Sequence, residues 1–225
     1  MKNAALLAWS GGKDSALALY EVSRSQGVDI VALLTTVTEG YERISMHGVR
    51  RDLLVAQARA LGYPLEEVRI PQQCTNEIYK ERMRQALEKY QQAGVDQTVF
   101  GDLYLEDIRA YREERMSRIG MRAIFPLWGK NTAELARQFV QWGFRAIVVC
   151  VDTQALDAAY AGREYDEAFL KDLPEGVDPC GENGEFHTFV YAGPVFHRPI
   201  QVERGQIVMR EDRFCYCDLV AASSQ

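Results

Sequence analysis

The chain has 225 residues, 47% of them hydrophobic and 26% charged, which is ordinary for a globular protein that buries a core without disulfide or metal support. The net charge of −6 argues against nucleic acid as the main partner, because domains that bind nucleic acid usually present a basic face. The five cysteines form no Cys-x-x-Cys pair, so neither a zinc site nor a disulfide framework is predicted.

Strands and helices alternate through the first half of the chain. The apolar run Ala4–Trp9 predicts a buried strand, and it is far shorter than the ~20 residues that cross a bilayer. We therefore expect a cytoplasmic protein without a membrane anchor. Hydrophobic periodicity predicts the elements that follow. They are helix Asp14–Gln26, strand Asp29–Thr36, helix Val49–Leu61, strand Leu65–Ile70, helix Cys74–Ala93, strand Thr98–Gly101 and helix Leu105–Ile119.

This alternation predicts a parallel sheet with right-handed crossovers. Ligands of such sheets bind beyond the carboxyl ends of the strands. The loops that follow the first, second and fourth strands are Ser10–Ser15, Thr36–Gly48 and Asp102–Tyr104. We expect these three loops to meet at one edge of the sheet.

The pattern changes near Pro126–Lys130. Asn131 and Glu134 have the spacing of a capping box at the start of a helix, and Arg145–Val151 predicts a further strand. From Thr188 to Val220 the chain reads as strands separated by turns. We predict two domains, residues 1–126 and residues 127–225, the second of mixed α+β type.

The segment Ser10-Gly-Gly-Lys-Asp-Ser15 lies between a predicted strand and a predicted helix, which is typical of a phosphate-binding loop. Its glycines let backbone N–H groups approach an anion, and the helix that follows contributes its positive N-terminal end. Hydroxyl groups and the Lys13 ammonium add donors and charge. Asp14 is unusual beside phosphate unless it orients the loop or a metal ion. The spacing differs from that of the Walker loop.

The six residues resemble the PP-loop of the ATP pyrophosphatases. The resemblance implies an α/β fold, a parallel-sheet adenine-nucleotide alpha-hydrolase-like (Rossmann-like) domain with a second, smaller α+β domain. It implies ATP and Mg²⁺, with cleavage of ATP between the α- and β-phosphates and transfer of AMP to a substrate oxygen. The candidate ATP ligands are Ser10, Gly11, Gly12, Lys13, Asp14, Ser15, Thr36, His47 and Gly101. Lys13 and Asp102 are candidate catalytic residues, and Asp14 and Asp102 are candidate metal ligands. His47 could equally be structural, and Asp102 could cap a helix.

A second loop, Asp178-Pro-Cys-Gly-Glu-Asn-Gly-Glu-Phe-His-Thr188, concentrates polar groups in the way that functional loops do. It resembles the signature of the diphthine–ammonia ligase family, a branch of the PP-loop enzymes. Three further segments match that branch in the same order: Arg43–Gly48, Phe100–Asp107 and Pro194–Phe196. The resemblance therefore extends over almost the whole chain.

The resemblance implies an AMP-forming amide ligase. ATP would adenylate a carboxylate acceptor, in that family a modified histidine of elongation factor 2, and ammonia would displace AMP. No glutaminase segment is recognised, so we expect free ammonia or ammonia from another chain, and a homo-oligomer is left open. The predicted acceptor site comprises Gly181, Glu182, Asn183, Gly184, Glu185 and His187. Glu185 and His187 are the candidate catalytic residues, His187 as a general base because imidazole titrates near neutral pH.

Two features leave alternatives open. The family signature reads closer to Cys-Gly-Glu-Gly-Gly-Glu-Tyr-Glu-Thr, so this chain differs at Asn183, Phe186 and His187, and the acceptor is not fixed. The alternative functions are a tRNA-modifying PP-loop enzyme, which would want a basic surface, and a non-catalytic module that senses ATP or AMP. The charge run from Arg109 to Arg115 predicts a solvated helix face, and Cys180 is interpreted as structural.

Overall fold

The chain is built around two β-sheets, in a computed structural model that describes residues 3–25, 27–44 and 48–222. Among these residues, one sheet has six strands and the other has four. The elements are, in chain order, β1 Asn3–Ala8, α1 Lys13–Arg24, β2 Val28–Thr38, β3 Arg43–Ile44, α2 Arg51–Leu61, β4 Leu65–Ile70, α3 Asn76–Gln92, β5 Gln97–Val99, α4 Glu106–Ser117, β6 Arg122–Ile124, α5 Thr132–Gln141, β7 Arg145–Asp152, the 3-10 helix Ala158–Tyr160, α6 Glu167–Asp172, β8 Phe186–Ala192, β9 Val202–Arg210 and β10 Phe214–Ala221.

Five strands of the first sheet are parallel, in the order β4-β2-β1-β5-β6. The short β3 pairs antiparallel with the end of β2. The strand order reverses direction between β1 and β5, which is the switch point at which α/β sheets bind ligands. The second sheet is antiparallel, in the order β8-β7-β10-β9. The predicted α/β fold, a Rossmann-like domain followed by a smaller mixed one, is confirmed.

Local signals define several helix ends, and the cap at Asn131 is as predicted, whereas the cap at Thr75 was not predicted. The Thr75 hydroxyl accepts a hydrogen bond from the backbone N–H of Ile78, and the Asn131 side chain caps α5 by accepting from the N–H of Glu134 at 2.9 Å. Gly62 ends α2 in the left-handed conformation, at φ 80°, which glycine adopts without strain. The two-residue β3 was not predicted, because so short a segment carries no alternating pattern.

Alternate residues of β1 divide the core between the two faces of the parallel sheet. Ala5 and Leu7 join a cluster with residues of α1, α2, α5 and the antiparallel sheet, whereas Leu6 joins a smaller cluster with residues of α3 and α4. Successive side chains of a strand point to opposite faces. Helices α3 and α4 therefore cover one face, and the other face packs against α1, α2 and the second sheet.

Contacts cross the predicted domain boundary directly at the phosphate-binding loop. The backbone N–H of Val190, in β8, donates to the carbonyl of Gly11 at 2.9 Å. The backbone N–H of Lys13 donates to the Thr188 hydroxyl at 3.0 Å. The antiparallel sheet therefore fixes the loop that follows β1. The boundary between residues 126 and 127 itself stays a prediction.

Among the helices of the described ranges, none has the length and apolar character that crossing a membrane requires.

A buried glutamine of α2 forms hydrogen bonds with both the phosphate-binding loop and β8. Gln57 is 0% exposed. Its Oε1 accepts from the indole N–H of Trp9 at 2.9 Å, and its Nε2 donates to the carbonyls of Gly11 and Val190 at 2.9 and 2.7 Å. Every polar atom of this amide thus has a partner, as buried polar groups require.

Gln57→Leu is expected to destabilise the fold by at least about 2 kcal/mol. It keeps the volume but leaves the Trp9 indole N–H and the Val190 carbonyl buried without this partner, at about 1–3 kcal/mol for each group. Denaturant unfolding measures the loss. Gln92→Leu, at the exposed end of α3, is the matched control and should change stability by about 0.5 kcal/mol or less. Equal stability of the two variants would contradict a structural role for Gln57.

Candidate active site

A cavity of about 770 Å³ opens at the carboxyl ends of β1, β2 and β5. Ala8, Leu34 and Thr98, from these three strands, form part of its lining on the face that α3 and α4 cover. Residues of both helices line the sides, and residues of the loop before β8 line the remainder. The volume is within the range of roughly 300–1,000 Å³ that is typical of small-molecule sites.

The phosphate-binding loop forms one end of this cavity. Gly11 has φ 80°, and a Cβ at this position would lie 2.7 Å from Oε1 of Gln57, so both the backbone and the packing require glycine here. The Ser15 hydroxyl donates to the carbonyl of Gly12 at 2.9 Å. These contacts hold the turn against the N-terminus of α1, where unpaired backbone N–H groups favour an anion.

The ammonium group of Lys13 lies at the base of the loop. Lys13 is 2% exposed, and its Nζ is 2.7 and 2.8 Å from the two carboxylate oxygens of Asp14. Burial alone would lower the pKa of Lys13, but the negative groups around it, Asp14 foremost, together outweigh burial, and the pKa is raised above its ordinary value. Lys13 therefore carries a positive charge inside the cavity.

The end of β5 packs tightly on this loop. A Cβ on Gly101 would lie 2.8 Å from the backbone carbonyl of Asp14, so only glycine allows the approach. The Asp102 carboxylate pairs with Arg112 of α4, with Nε and Oδ2 2.6 Å apart. Asp14 and Asp102 both line the cavity, but within residues 3–25, 27–44 and 48–222 no three acidic, histidine or cysteine side chains form a metal-binding group.

The signature loop contacts the loop after β5. Oε1 of Glu182 accepts a hydrogen bond from the backbone N–H of Leu103 at 2.8 Å, and the Tyr104 hydroxyl donates to Oδ1 of Asn183 at 3.0 Å. Glu182 lines the cavity. Burial raises the pKa of its carboxyl group to about 7, so this group exchanges a proton near neutral pH.

Glu185 is placed differently from the sequence expectation. It is buried, and its carboxylate accepts hydrogen bonds from the backbone N–H groups of Asp178 and Asn183 and from the Asn183 side-chain amide, at 3.1, 3.0 and 2.9 Å. It is not among the residues that line the cavity. Glu185 therefore organises the signature loop from inside, and Glu182 is the carboxylate that the loop presents to the cavity.

His187 and Cys180 lie close to the same region. His187 lines the cavity, but burial and the charge of Lys13 lower its pKa to about 4, which differs from the expected titration near neutral pH. The Cys180 thiol is buried and donates to the carbonyl of Thr132 at 3.3 Å, and burial raises its pKa to about 12. Such a thiol is unreactive, in line with its structural interpretation.

Most predicted site residues line this one cavity. They are Ser10, Gly12, Lys13, Asp14, Ser15, Thr36, Gly101, Asp102, Gly181, Glu182, Gly184 and His187. Gly11 and Asn183 do not line it: Gly11 is buried at the turn of the phosphate-binding loop, and Asn183 is exposed on the signature loop. His47 lies outside the described residues.

Two features of the site could not be predicted from the sequence. Thr188 stood in the signature without a role, yet its hydroxyl accepts from the N–H of Lys13. The charge run on α4 was predicted to be a solvated face, and this is corrected for two of its members. Arg112 and Arg115 are partly buried and line the cavity. The sequence contained no signal that these arginines are partly buried. Arginines at helical spacing with acidic residues between them form the same pattern whether they line a cavity or an exposed helix face.

Comparison with known proteins shows the family to which this chain belongs. The family model described as the diphthamide synthase N-terminal domain matches residues 1–123, and that of the diphthamide synthase C-terminal domain matches residues 131–223. Diphthine–ammonia ligase of Mus musculus is 28% identical over 238 residues, which is 93% of this chain and 85% of the relative. The protein of the same name from Homo sapiens is 26% identical over 93% of this chain and 85% of the relative. That of Schizosaccharomyces pombe is 27% identical over 94% of this chain and 38% of the relative.

Fold, phosphate-binding loop and relatives together define an ATP-dependent amide ligase. The alternatives of a tRNA-modifying enzyme and of a sensing module are not favoured by these relatives. The chain belongs to the diphthamide synthase family, and the resemblance identified in the sequence is confirmed.

Proposed function

We propose that this chain is a diphthine–ammonia ligase, which adenylates the diphthine carboxylate of elongation factor 2 and converts it to an amide with ammonia. The observation that carries the proposal is the juxtaposition of two loops in one cavity. The phosphate-binding loop and the carboxylate of Glu182 come from distant parts of the chain and line the same space. Such a cavity can hold a nucleotide and a second reactant together, which a two-substrate ligase requires.

ATP would bind with its β- and γ-phosphates in the loop Ser10–Ser15. The Lys13 ammonium neutralises phosphate charge, and the N-terminus of α1 adds its backbone N–H groups. The acceptor carboxylate attacks the α-phosphorus, the bond from that phosphorus to the bridging oxygen breaks, and pyrophosphate leaves with the electron pair. This step turns a carboxylate, which is a poor acyl donor, into an acyl adenylate.

The residues also fit a Mg²⁺ ion of the kind that accompanies ATP. Mg²⁺ is usually held by one or two carboxylates together with substrate phosphates and water. Asp14 and Asp102 are the two carboxylates that would hold it here. When bound, the ion would neutralise charge that develops on the phosphates. Both carboxylates pair with cationic side chains, Asp14 with Lys13 and Asp102 with Arg112.

In the second step ammonia attacks the acyl carbon, the bond from that carbon to the AMP oxygen breaks, and AMP leaves. The nitrogen must lose a proton. Glu182 is the carboxylate within the cavity whose pKa, about 7, suits proton transfer near neutral pH. We assign the role of general base to it rather than to His187, whose low pKa makes it a weak base. The cytoplasmic location predicted from the sequence stays a prediction.

The products of ATP turnover test the function. The protein is incubated with ATP, Mg²⁺, ammonium and elongation factor 2 that carries diphthine. We expect AMP, pyrophosphate and amidated factor in equal amounts, with no turnover when the unmodified factor replaces the diphthine-bearing one. Chromatography of nucleotides and mass spectrometry of the factor measure both. ADP as the nucleotide product, or AMP without amide, would contradict the proposal.

A further inference from the structure

A groove extends the cavity along the sheet face, between α3 and α4. Its floor includes Thr98 of β5, and its sides carry Met83 of α3 and Met116 of α4. Basic side chains of the same helices also line it. These are Lys80 and Arg84 from α3, and Arg112, Arg115 and Arg118, which lie on or just after α4. Glu77 and Glu81 of α3 line the groove as well. The groove thus combines an apolar interior with walls that carry five cationic and two acidic side chains.

Most of these cations already have acidic partners. Arg84 pairs with Glu81 and Glu88, and Arg112 pairs with Asp102. Arg118 pairs with Glu114. Arg115 differs from these arginines, because no hydrogen bond or ion pair joins its side chain to another residue of the described part of the chain. Its Nε is buried without a partner there, and its guanidinium lies 5.1 Å from the ring of Tyr111.

A second polar group in the groove is equally unsatisfied. Thr98 is 0% exposed, and its Oγ1 has no hydrogen-bond partner among the described residues. It faces the side of the sheet that α3 and α4 cover, since Phe100, two residues further along, packs in the cluster on that face. A buried hydroxyl without a partner costs about 1–3 kcal/mol. A ligand that bonds to both groups would recover this loss.

The charge of the groove selects between the two reactants. An unpaired, partly buried guanidinium is stabilised by an anion, and both carboxylates and phosphates fit its planar fork. The negative charges of ATP lie on its phosphates, which the loop Ser10–Ser15 accommodates, and adenine carries none. If the adenine ring of ATP occupied the groove, Arg115 would have no negative charge beside it.

We infer that the groove between α3 and α4 binds the acceptor, with Arg115 and Thr98 holding its carboxylate while the apolar part of its side chain lies between Met83 and Met116. The inference rests on the proposed function, because it names the place where the carboxylate substrate of that reaction is held. Arg115 is thereby a residue that contacts the substrate and sets specificity for a carboxylate.

The outer surface of the groove fits a macromolecular acceptor. Ile78 on α3 and Tyr111 on α4 are 38% and 39% exposed, and Tyr111 also lines the cavity. Under the proposed function the acceptor is a side chain presented by a protein, and these two residues lie where that protein would contact this chain.

Substitutions at two positions test the groove without disturbing the phosphate-binding loop. Arg115→Ala should raise the KM for diphthine-bearing elongation factor 2 by about 10- to 100-fold, because it removes a charged contact. Arg115→Lys should restore part of the loss. Thr98→Val should raise the same KM about two- to tenfold, yet leave the protein equally or more stable, since it removes an unsatisfied buried hydroxyl. The KM for ATP should stay within about twofold in every case.

Direct binding separates this inference from the proposed function. Calorimetry with the diphthine-bearing factor and a non-hydrolysable ATP analogue needs no turnover. Loss of factor binding in Arg115→Ala, with binding retained in Arg122→Ala, whose exposed arginine lies outside the cavity, supports the groove even if no amide forms. Loss of ATP affinity in Arg115→Ala would assign the groove to the nucleotide. Failure of the factor to bind the wild-type chain, or binding unaffected in Arg115→Ala, would overturn the inference.

Discussion

Lys13→Ala is expected to raise the Kd for ATP by about 10- to 150-fold. A hydrogen bond to a charged group contributes about 1.5–3 kcal/mol, and about 1.4 kcal/mol corresponds to a factor of ten in Kd. Lys13 is 2% exposed and carries its charge inside the cavity. A lysine or arginine at the surface therefore cannot take over its contact with phosphate. Ser10→Ala removes a neutral hydroxyl instead, and the corresponding loss of about 0.5–1.5 kcal/mol predicts an increase of about two- to tenfold.

Isothermal titration with ATP measures all variants. Lys130→Ala is the matched control, since Lys130 pairs with Glu21 at the surface and does not line the cavity. Its Kd should equal that of the wild-type chain. Lys13→Ala also leaves the Asp14 carboxylate without its partner, so the thermal midpoint is recorded to show that the variant is folded. Small and equal losses for the Lys13 and Ser10 variants would mean that the loop does not hold phosphate.

Glu182→Gln is expected to lower kcat for amide formation by about 10²- to 10⁴-fold, which is the usual contribution of a general base. It should leave the Kd for ATP nearly unchanged. A carboxyl group acts as a base only when ionised. Because burial raises the pKa of Glu182 to about 7, the wild-type rate per uncharged ammonia should rise as pH increases through about 7. The glutamine variant lacks this group, so its residual rate should not depend on pH in this range.

Glu185→Gln is the informative comparison. Its carboxylate accepts three hydrogen bonds within the signature loop and does not line the cavity. The variant should lose stability and weaken acceptor binding, yet keep the pH dependence of the wild-type rate. Rates are corrected for the fraction of uncharged ammonia at each pH. A pH profile that disappears in Glu185→Gln and survives in Glu182→Gln would assign the base to Glu185 and contradict our interpretation.

The two loops that carry the chemistry could be predicted because their signals are local. Ser10–Ser15 owes its conformation to two glycines between a strand and a helix. The alternation of strands and helices further predicted the parallel sheet, and with it the meeting of the loops after β1 and β5. The capping residue Asn131 and the left-handed Gly62 likewise act within a few residues, so these helix ends were placed closely.

The tertiary structure decided which side chains of these loops reach the cavity. Glu182 and Glu185 have the same chemistry and lie three positions apart. The hydrogen bonds that Glu185 makes inside its loop turn it inwards, and the contact of Glu182 with Leu103 requires that two distant loops meet. The depressed pKa of His187 is also a consequence of burial and of Lys13, neither of which is visible in the order of the residues.

The arginines of α4 are a second case in which the sequence did not show which side chains reach the cavity. Their spacing on the helix could be read from the sequence, but the direction in which they point depends on where α4 lies against β5 and β6. That position follows from long-range packing of Met116 and Phe100. The sequence by itself therefore determined the fold class, the phosphate-binding loop and the family. Only the tertiary structure brought Gln57, Thr188 and Arg115 to the site, because their contacts join residues that are far apart along the chain.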